Sequence, residues 1–460
     1  MSTDTDCLAL AERAFAAVPA ADGALALVAR ERSLLMRYAR SRPTQATSVD
    51  DVTVDVAALR EGQVGRSATN CTDPRALAAC ATRAAAAAEA ASRSSGSGPY
   101  PGFPASRAPR PHQGHDPETA RLDPGAGGCA LRAAFAAAEA GGVEAHGIWT
   151  AGEVETAVAS STGVAVAERV TDAHMKVVCI APGGRSGYSA ATASALRSID
   201  PKATAECAAA KAAVGGEPAE LPPGEHAVVM EPHAVGELLS LLSISAFNGL
   251  AHVEGRGALA GRLGQRVASP QVNVSDSPRL PGTLPRGFDA EGVAKAPLPL
   301  IQDGIAHRVV HDTRSAVLAG EATTGHALAP AGAPFGPVPT NVVMIGGGAA
   351  SVEELCAPVE RGIYITRLWY ANLVRPRQSL VTALSRDGTF LIEDGRIAGP
   401  LADMRLTDRV LDMLARVEAL SARSILTSEG EFYGRRFATG AVCPAVRFTG
   451  VRFTATAGSG

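Results

Sequence analysis

Aromatic residues make up only 4% of this 460-residue chain, and two of them are tryptophans. So sparse a supply argues against a surface on which nucleic-acid bases stack. An excess of one charge is also missing: 43 Lys and Arg face 46 Asp and Glu, for a formal net charge of -3. That balance recommends neither nucleic acid nor an anionic membrane as a partner. No apolar run reaches membrane-spanning length. The start, Met1-Ser2-Thr3-Asp4-Thr5-Asp6, lacks the basic region and apolar core of a signal peptide. A cytoplasmic protein is expected.

Several chemical motifs are missing too. The cysteines are Cys7, Cys71, Cys80, Cys129, Cys179, Cys207, Cys356 and Cys443, with no Cys-x-x-Cys pair among them. A zinc ribbon or thioredoxin-type site is thereby excluded, and the thiols read as free, buried or semi-buried. There is no Gly-x-Ser-x-Gly elbow; the nearest run, Gly184-Arg185-Ser186-Gly187-Tyr188, ends in Tyr and reads as a turn. Gly346-Gly347-Gly348 has no Gly-Lys-Ser/Thr beside it and reads as a tight turn, not a phosphate loop.

What is present is a globular composition, 46% hydrophobic and 19% charged, on a length sufficient for two or three domains. Cys7 to Val18 reads as a helix, Ala24 to Ser41 as a hairpin of strands, and Val52 to Leu59 as a further strand. Pro74 to Ala91 is an Ala-rich helix that Thr72 and Asp73 would cap. Ser92 to Pro111, rich in Ser, Gly and Pro, reads as the main part of a linker over 92–116. Beyond it Cys129 to Ala140 is helical, Ala145 to Thr150, Gly163 to Val170 and His174 to Ala181 are extended, and Pro201 to Val214 is a second Ala-rich helix. Asp73-Pro74 and Asp200-Pro201 precede the two Ala-rich helices, and Cys80 and Cys207 follow at equal distance. A duplicated helix–strands–helix unit is one reading of that self-similarity.

Gly215 to Pro223 is a Pro- and Gly-containing boundary, giving domains 1–215 and 216–460. The second is richer in strands. Gly304 to His311 and Asn341 to Ile345 read as strands, and Ser351 to Arg361 as a helix with Ser351 and Glu354 in a capping box. Gly362 to Ala371 and Ser379 to Leu384 alternate. Gly388 to Ile397 reads as a hairpin around Glu393-Asp394-Gly395, Thr407 to Leu420 as a helix, and Ala445 to Thr454 as the strand that closes the sheet. The expected fold is α+β: a mixed N-terminal domain, then a C-terminal domain on a large, mostly antiparallel sheet.

One stretch organises the second half. His226 to Met230 has strand length, and Pro232 begins a helix in which Val235, Leu238, Leu239 and Leu242 form an apolar face. His233 and Glu237 stand one turn apart off that face. The stretch resembles the TldD/PmbA metallopeptidases, in which PmbA is also called TldE. Zinc-binding TldD members carry His-Glu-x-x-x-His here, and this chain reads Pro232-His233-Ala234-Val235-Gly236-Glu237. The resemblance places a third ligand, a Cys, in the region of Thr427 to Phe437, which holds none. Gly261-Arg262-Leu263-Gly264, Phe288-Asp289-Ala290-Glu291-Gly292, Leu300-Ile301-Gln302-Asp303-Gly304, Thr323-Thr324-Gly325-His326 and Asp394-Gly395-Arg396-Ile397 follow in family order.

The resemblance implies a PmbA/TldE-like subunit acting on peptides, with no cofactor of its own and zinc on a TldD-type partner. In that reading the chain forms a dimer, with that partner or with itself. Pro232, His233 and Glu237 are then the relict of a metal motif. Two alternatives stand beside it: an active peptidase or amidase with an altered metal site at His233 and Glu237, and a homodimeric peptide-binding protein without catalysis. A retained metal would need a distant third ligand, with His326, His252 and Cys443 as candidates, since zinc takes three or four convergent donors. His307 and His311, read on one strand, lie too far apart to share an ion. His112 and His115 sit beside the linker and read as solvated. Asp289 and Glu291 read as fixing a turn through backbone hydrogen bonds.

Overall fold

Helix α1 (Cys7–Ala16) begins where the Asp6 carboxylate accepts from the Leu8 and Ala9 amides. The structure is a computed structural model that describes residues 6–93, 100–105, 107–428, 430 and 434–456. Strands β1 (Gly23–Ala39), β2 (Arg42–Arg60) and β3 (Gln63–Thr69) lead into helix α2 (Pro74–Ser92). Helix α3 (Pro124–Ala140), strands β4 (Glu144–Ser160), β5 (Ala165–Ile180) and β6 (Ser186–Ala193) and helix α4 (Pro201–Ala212) follow. The strands make one antiparallel sheet in the order β3-β2-β1-β4-β5-β6. Apart from single 3-10 turns, the order helix, three strands, helix occurs twice, and the two runs meet where β1 pairs with β4.

The Ala24 to Ser41 stretch is one strand and not a hairpin. Its partner is β2, and Arg40 and Ser41 reverse the chain with both residues at φ 52°. Two left-handed residues in a row make the mirror-type turn that suits twisted strands, but Arg-Ser carries none of the usual Asn-Gly or Asp-Gly signal. The alanines of α2 and α4 have a steric cause. A Cβ on Gly65 of β3 would lie 2.2 Å from the Ala84 carbonyl oxygen, and one on Gly187 of β6 would lie 2.3 Å from that of Ala208. Each helix backbone thus presses directly on its strand, so only small side chains fit between them. Asp73 and Asp200 cap the two helices alike, each accepting two amides. Cys80 is buried while Cys207 is exposed, so their equal spacing does not make them equivalent. Cys71 and Cys129 are exposed as well. The described residues between Tyr100 and 116 form no helix or strand; 94–99 and 106 of the expected linker lie outside the described residues.

The second sheet starts with β7 (Gly224–Met230), followed by helices α5 (Pro232–Ser245) and α6 (Gly249–Val253). Next come β8 (Val274–Asp276), β9 (Leu298–Gln302), β10 (Ile305–Ala306), α7 (Thr313–Ala319), β11 (Asn341–Met344) and α8 (Val352–Cys356). The chain ends with β12 (Arg361–Arg375), β13 (Leu380–Glu393), β14 (Arg396–Pro400), β15 (Met404–Arg409), α9 (Val410–Ala415), β16 (Val417–Thr427) and β17 (Gly440–Thr456). The order is β10-β9-β8-β11-β17-β15-β13-β12-β7, with β14 on β13 and β16 on β17. Because β17 also pairs with β7, the strands β7, β12, β13, β15 and β17 close a ring. Only β7–β12 and β11–β17 run parallel among the described pairings. Leu238, Leu239 and Leu242 of α5 share one core with Met404, Leu406, Phe448 and Phe453 from the ring. The fold is α+β, and among the described residues no helix is long and apolar enough to cross a membrane.

Three further expectations need correction. Thr407 to Leu420 is strand, short helix, strand, because the ring claims Thr407 opposite Thr382 and β16 begins at Val417. Pairing overrides the helical spacing of the apolar residues there. The helix expected over Ser351 to Arg361 stops at Cys356, since Pro358 cannot continue it. Ser351 does accept from the Glu354 amide, but the Glu354 carboxylate accepts from Ala350. Of Gly304 to His311 only Ile305–Ala306 is strand, so the strand geometry assumed for His307 and His311 does not apply. Ala445 to Thr454 does close the sheet, as part of the longer β17, which pairs with β7, β11, β15 and β16.

Candidate functional site

The site begins where β7 feeds α5. Pro232 takes the first helical position, where its missing N–H costs nothing. Glu231, just before it, pairs with Lys211 of α4 at 2.6 Å and accepts the Tyr364 hydroxyl. The backbone carbonyl of Pro232 accepts the Cys443 thiol at 3.2 Å. Burial pushes that thiol up to about 12. Pro232 itself offers no side-chain donor.

His233 and Glu237 line one cleft of about 310 Å³. Its far walls are Val338–Thr340, Thr427–Ser428, Gly430 and Phe437–Ala441. The helix that carries the motif and the described part of the Thr427 to Phe437 region therefore face each other; Glu429 and 431–433 lie outside the described residues. The approach is close, as a Cβ on Gly236 would stand 2.1 Å from Thr427 Oγ1. That hydroxyl donates to the Ala441 carbonyl at 2.9 Å. The His233 ring stands edge-on to Tyr188 of β6, with centroids 5.1 Å apart. Burial pulls its imidazole down to about 4 against the opposing pull of the Glu231 carboxylate, and Lys211 adds to the drop. At neutral pH it is an uncharged ring and a weak base.

The donor set does not fit zinc. His233 and Glu237 offer two donors, and a zinc site takes three or four that converge. The distant candidates lie elsewhere. Cys443 faces the Pro232 carbonyl, His326 pairs with Asp276, and His252 lines a separate groove with His307 and His311. Among the described residues no three His, Cys, Asp or Glu side chains stand close enough to hold an ion.

Two further hollows along the seam between the sheets follow one another from the cleft through shared wall residues. Thr340 and Phe437 also border a smaller one of about 110 Å³, which reaches Arg286, Lys295 and His326. That hollow shares Leu27, Ala290 and Ala327 with an outer cleft of about 280 Å³ that reaches Tyr100 and Arg314. Buried charges hold the seam. Asp276, fully buried, accepts the Thr340 and Asn341 amides at 3.0 and 2.8 Å. Its other oxygen lies 3.3 Å from Lys295 Nζ and 3.0 Å from His326 Nε2, the latter within ion-pair range but not aligned for a hydrogen bond. Burial alone would raise this carboxyl, but Lys295 and His326 hold it well below the ordinary range.

Asp289 does fix a turn: one oxygen accepts the Glu291 and Val293 amides at 2.9 Å each, the other that of Ala327 at 2.8 Å. Burial, helped by the Glu291 charge, still pushes Asp289 up to about 7. Glu291 accepts the Tyr100 and Thr313 hydroxyls. His112 is not solvated: its ring meets Glu168 at 2.9 Å with both side chains under a tenth exposed. His115 pairs with Glu153 at 2.8 Å.

In this fold a helix-borne motif frame faces a C-terminal segment across a cleft. The family models for the PmbA/TldA metallopeptidase C-terminal domain and central domain match residues 223–455 and 125–215. The chain belongs to the PmbA/TldA metallopeptidase family. It is similar to the crystal structure of TldE from Thermococcus kodakarensis, with a TM-score of 0.84 at 19% identity over 97% of this chain and 99% of that one. It is also similar to a structure from Bacteroides thetaiotaomicron described as a putative modulator of DNA gyrase, with a TM-score of 0.81 at 19% identity over 99% and 100% of the two chains. Among curated proteins, a metalloprotease of Methanothermobacter thermautotrophicus is 26% identical over 44% of each chain. The zinc metalloprotease TldD homolog of Saccharolobus solfataricus is 25% identical over 43% of this chain and 44% of that one. The chain thus spans less than half the length of these curated relatives.

Sequence reasoning missed Tyr188, Lys211 and Thr427 as neighbours of the motif. Each comes from a segment remote in sequence, and none sits in a pattern that names its partner. His326 was legible as part of a family motif, but not its pairing with Asp276 and Lys295.

Proposed function

We propose that this chain is a PmbA/TldE-like subunit of a TldD/TldE-type metallopeptidase. It forms part of a peptide-binding cleft, has no zinc site of its own, and pairs with a TldD-type subunit that supplies the metal. The observation that carries this reading is the cleft at α5. It keeps the helix and the facing Thr427 segment in contact, yet its motif frame presents Pro232, His233 and Glu237. The hollows that share walls with it along the seam support a role in binding an extended peptide, which main-chain contacts can hold without regard to sequence. The partner's zinc would polarise the peptide carbonyl and activate water, and this chain would bind and orient the substrate. We also take residues 1–215 and 216–460 as its two domains, supported by the two separate sheets, and the cytoplasm as its location.

The test is metal content and reconstitution together. The purified protein should hold less than about a tenth of an equivalent of zinc, as two donors capture it weakly. It should show no peptidase activity alone and should raise that of a TldD-type subunit carrying the intact His-Glu-x-x-x-His motif. Near-stoichiometric zinc or iron, lost with activity in His233→Ala or Glu237→Ala, would sink this reading in favour of an active enzyme. A homodimer that binds peptides and ignores such a partner would favour a non-catalytic binding protein.

A further inference from the structure

The β12–β13 arm carries a feature that the peptide cleft does not use. Strand β12 pairs with β7 only over Gly362–Ile365, while its pairing with β13 runs on to Arg375. Among the described residues, no strand covers the second side of 366–375. At about 3.3 Å per residue this is an edge of about 30 Å. The sequence of the arm is one-sided: Arg361, Arg367, Arg375, Arg377 and Arg386 lie between 361 and 386, with no Asp or Glu in that span. Arg367 is neutralised by Asp387 at 2.6 Å, and Arg386 stands 3.8 Å from the same carboxylate; Arg375 and Arg377 have no ion-pair partner among the described residues, though one Arg377 nitrogen donates to the Gly255 carbonyl. Nearby Glu254 is taken by Arg256.

Exposed apolar surface sits among these charges. Trp369, Tyr370 and Val374 are 41%, 70% and 50% exposed. Tyr370 holds a left-handed φ of 53° at a break in the β12–β13 register, and its carbonyl accepts from the Asn372 side-chain Nδ2. A non-glycine residue in that region costs free energy. The Arg386 guanidinium lies over the Trp369 ring at 4.5 Å, and the Tyr370 ring is 5.5 Å away.

We propose that this arm is a docking platform for an extended, acidic segment of a partner polypeptide. Its carboxylates would meet Arg375, Arg377 and the outer N–H groups of Arg386, and its apolar side chains would rest on Trp369, Tyr370 and Val374. Guanidinium forks suit carboxylates, and stacking on an aromatic ring leaves their N–H edges free. A nucleic-acid strand fits less well, because base stacking needs open ring faces and Arg386 already covers one face of Trp369.

The chain reports on this site by itself, since Trp149 is buried and Trp369 is the other tryptophan. The probe is a fluorescein-labelled peptide of roughly twelve alternating Glu and Val residues, enough to span the edge. The same peptide with Lys for Glu, one with Gly for Val, and a single-stranded oligothymidylate serve as comparisons. The full-length protein should bind the Glu–Val peptide saturably, with a change in Trp369 emission. Affinity should fall at least about tenfold in Arg375→Glu/Arg377→Glu and in Trp369→Leu, as expected when central charge and aromatic contacts are removed. The Lys peptide should not bind, and the Gly peptide should bind more weakly. Unchanged melting of both variants by circular dichroism excludes a folding defect. The proposal is overturned by the absence of saturable binding, by equal affinity of the charge-reversed variant, or by tighter binding of the oligothymidylate than of the peptide.

Discussion

Gly236→Ala sets two effects against each other at the candidate cleft. In an exposed helix the change would stabilise by about 1 kcal/mol, since glycine is the weaker helix former. Here the new Cβ would meet Thr427 Oγ1 at 2.1 Å, Cβ at 3.1 Å and Cγ2 at 3.6 Å. The hydroxyl must move, and moving it breaks its bond to the Ala441 carbonyl. Overpacking of this kind costs about 1–3 kcal/mol, so the single variant should be destabilised by up to about 2 kcal/mol after the helix gain. Thr427→Ala alone should cost about 1 kcal/mol for the lost hydrogen bond. Combined, the two changes remove the worst clash, leave a tight Cβ contact and keep the helix gain. The double variant should sit near the wild type, with a coupling of about 1–3 kcal/mol. Urea denaturation of the four proteins, followed by far-UV circular dichroism, measures that coupling from the midpoints. Effects additive to within about 0.5 kcal/mol would mean that α5 and the Thr427 segment are not in contact, and the cleft as described would not exist.

Two further outcomes follow from the same seam. The folded chain holds His233 at about 4 and His174 at about 3, both through burial, while the unfolded chain binds these protons near 6.5. Stability from both is complete above about 6.5 and is lost as the pH falls toward 4 and 3; His233→Gln should therefore lessen the loss between pH 6.5 and 4 by roughly 2–3 kcal/mol, and an unaltered acid profile from urea midpoints would refute the burial assigned to His233. Arg436→Met should destabilise by about 3–5 kcal/mol, because it strands a buried carboxylate: Arg436 binds Asp172 through two nitrogens at 2.8 and 2.6 Å, and a loss under about 1 kcal/mol in thermal or urea unfolding would show that Asp172 is not confined there.

Local chemistry made some elements legible and tertiary contacts hid others. The Asp394-Gly395 hairpin could be read because both residues adopt left-handed conformations, at φ 48° and 76°, and the Asp-Gly pair announces it. Arg40-Ser41 makes the same reversal at φ 52° without the announcement, so two long strands were read as a shorter hairpin. Asp73 was legible as a cap because Asp before Pro at a helix start has one mechanism, and Asp200 before Pro201 repeats it. The 407–420 segment was not, since its apolar spacing suits a helix and only pairing with β13 and β17 makes its ends strands. At the site, the motif frame was legible residue by residue. What it faces was not: Tyr188, Lys211 and Thr427 reach it from three other elements, and short-range patterns carry no such information.

The contacts along the seam bear on how the cleft keeps its shape. Lys211 meets Glu231, Ser186 donates to Asp387 at 2.6 Å, and Arg436 reaches across β4 to Asp172. Arg436 can do so because β4 has Gly152 there; a Cβ would lie 2.3 Å from its Nε. Buried ion pairs add little net stability, because desolvation offsets much of their attraction. An apolar seam of similar area would hold the two sheets together about as well. It would hold them less selectively, since apolar contact is non-directional and a bidentate guanidinium is satisfied in one orientation. The three contacts are spread over α4, β6 and β5 on one side and over the turn into α5, β13 and the 434–440 segment on the other. A shift of one sheet against the other would break them together. Two of those elements reach the cleft directly: Glu231 stands just before the helix that carries His233 and Glu237, and Arg436 adjoins Phe437 of the facing wall, so these contacts anchor the cleft at both sides.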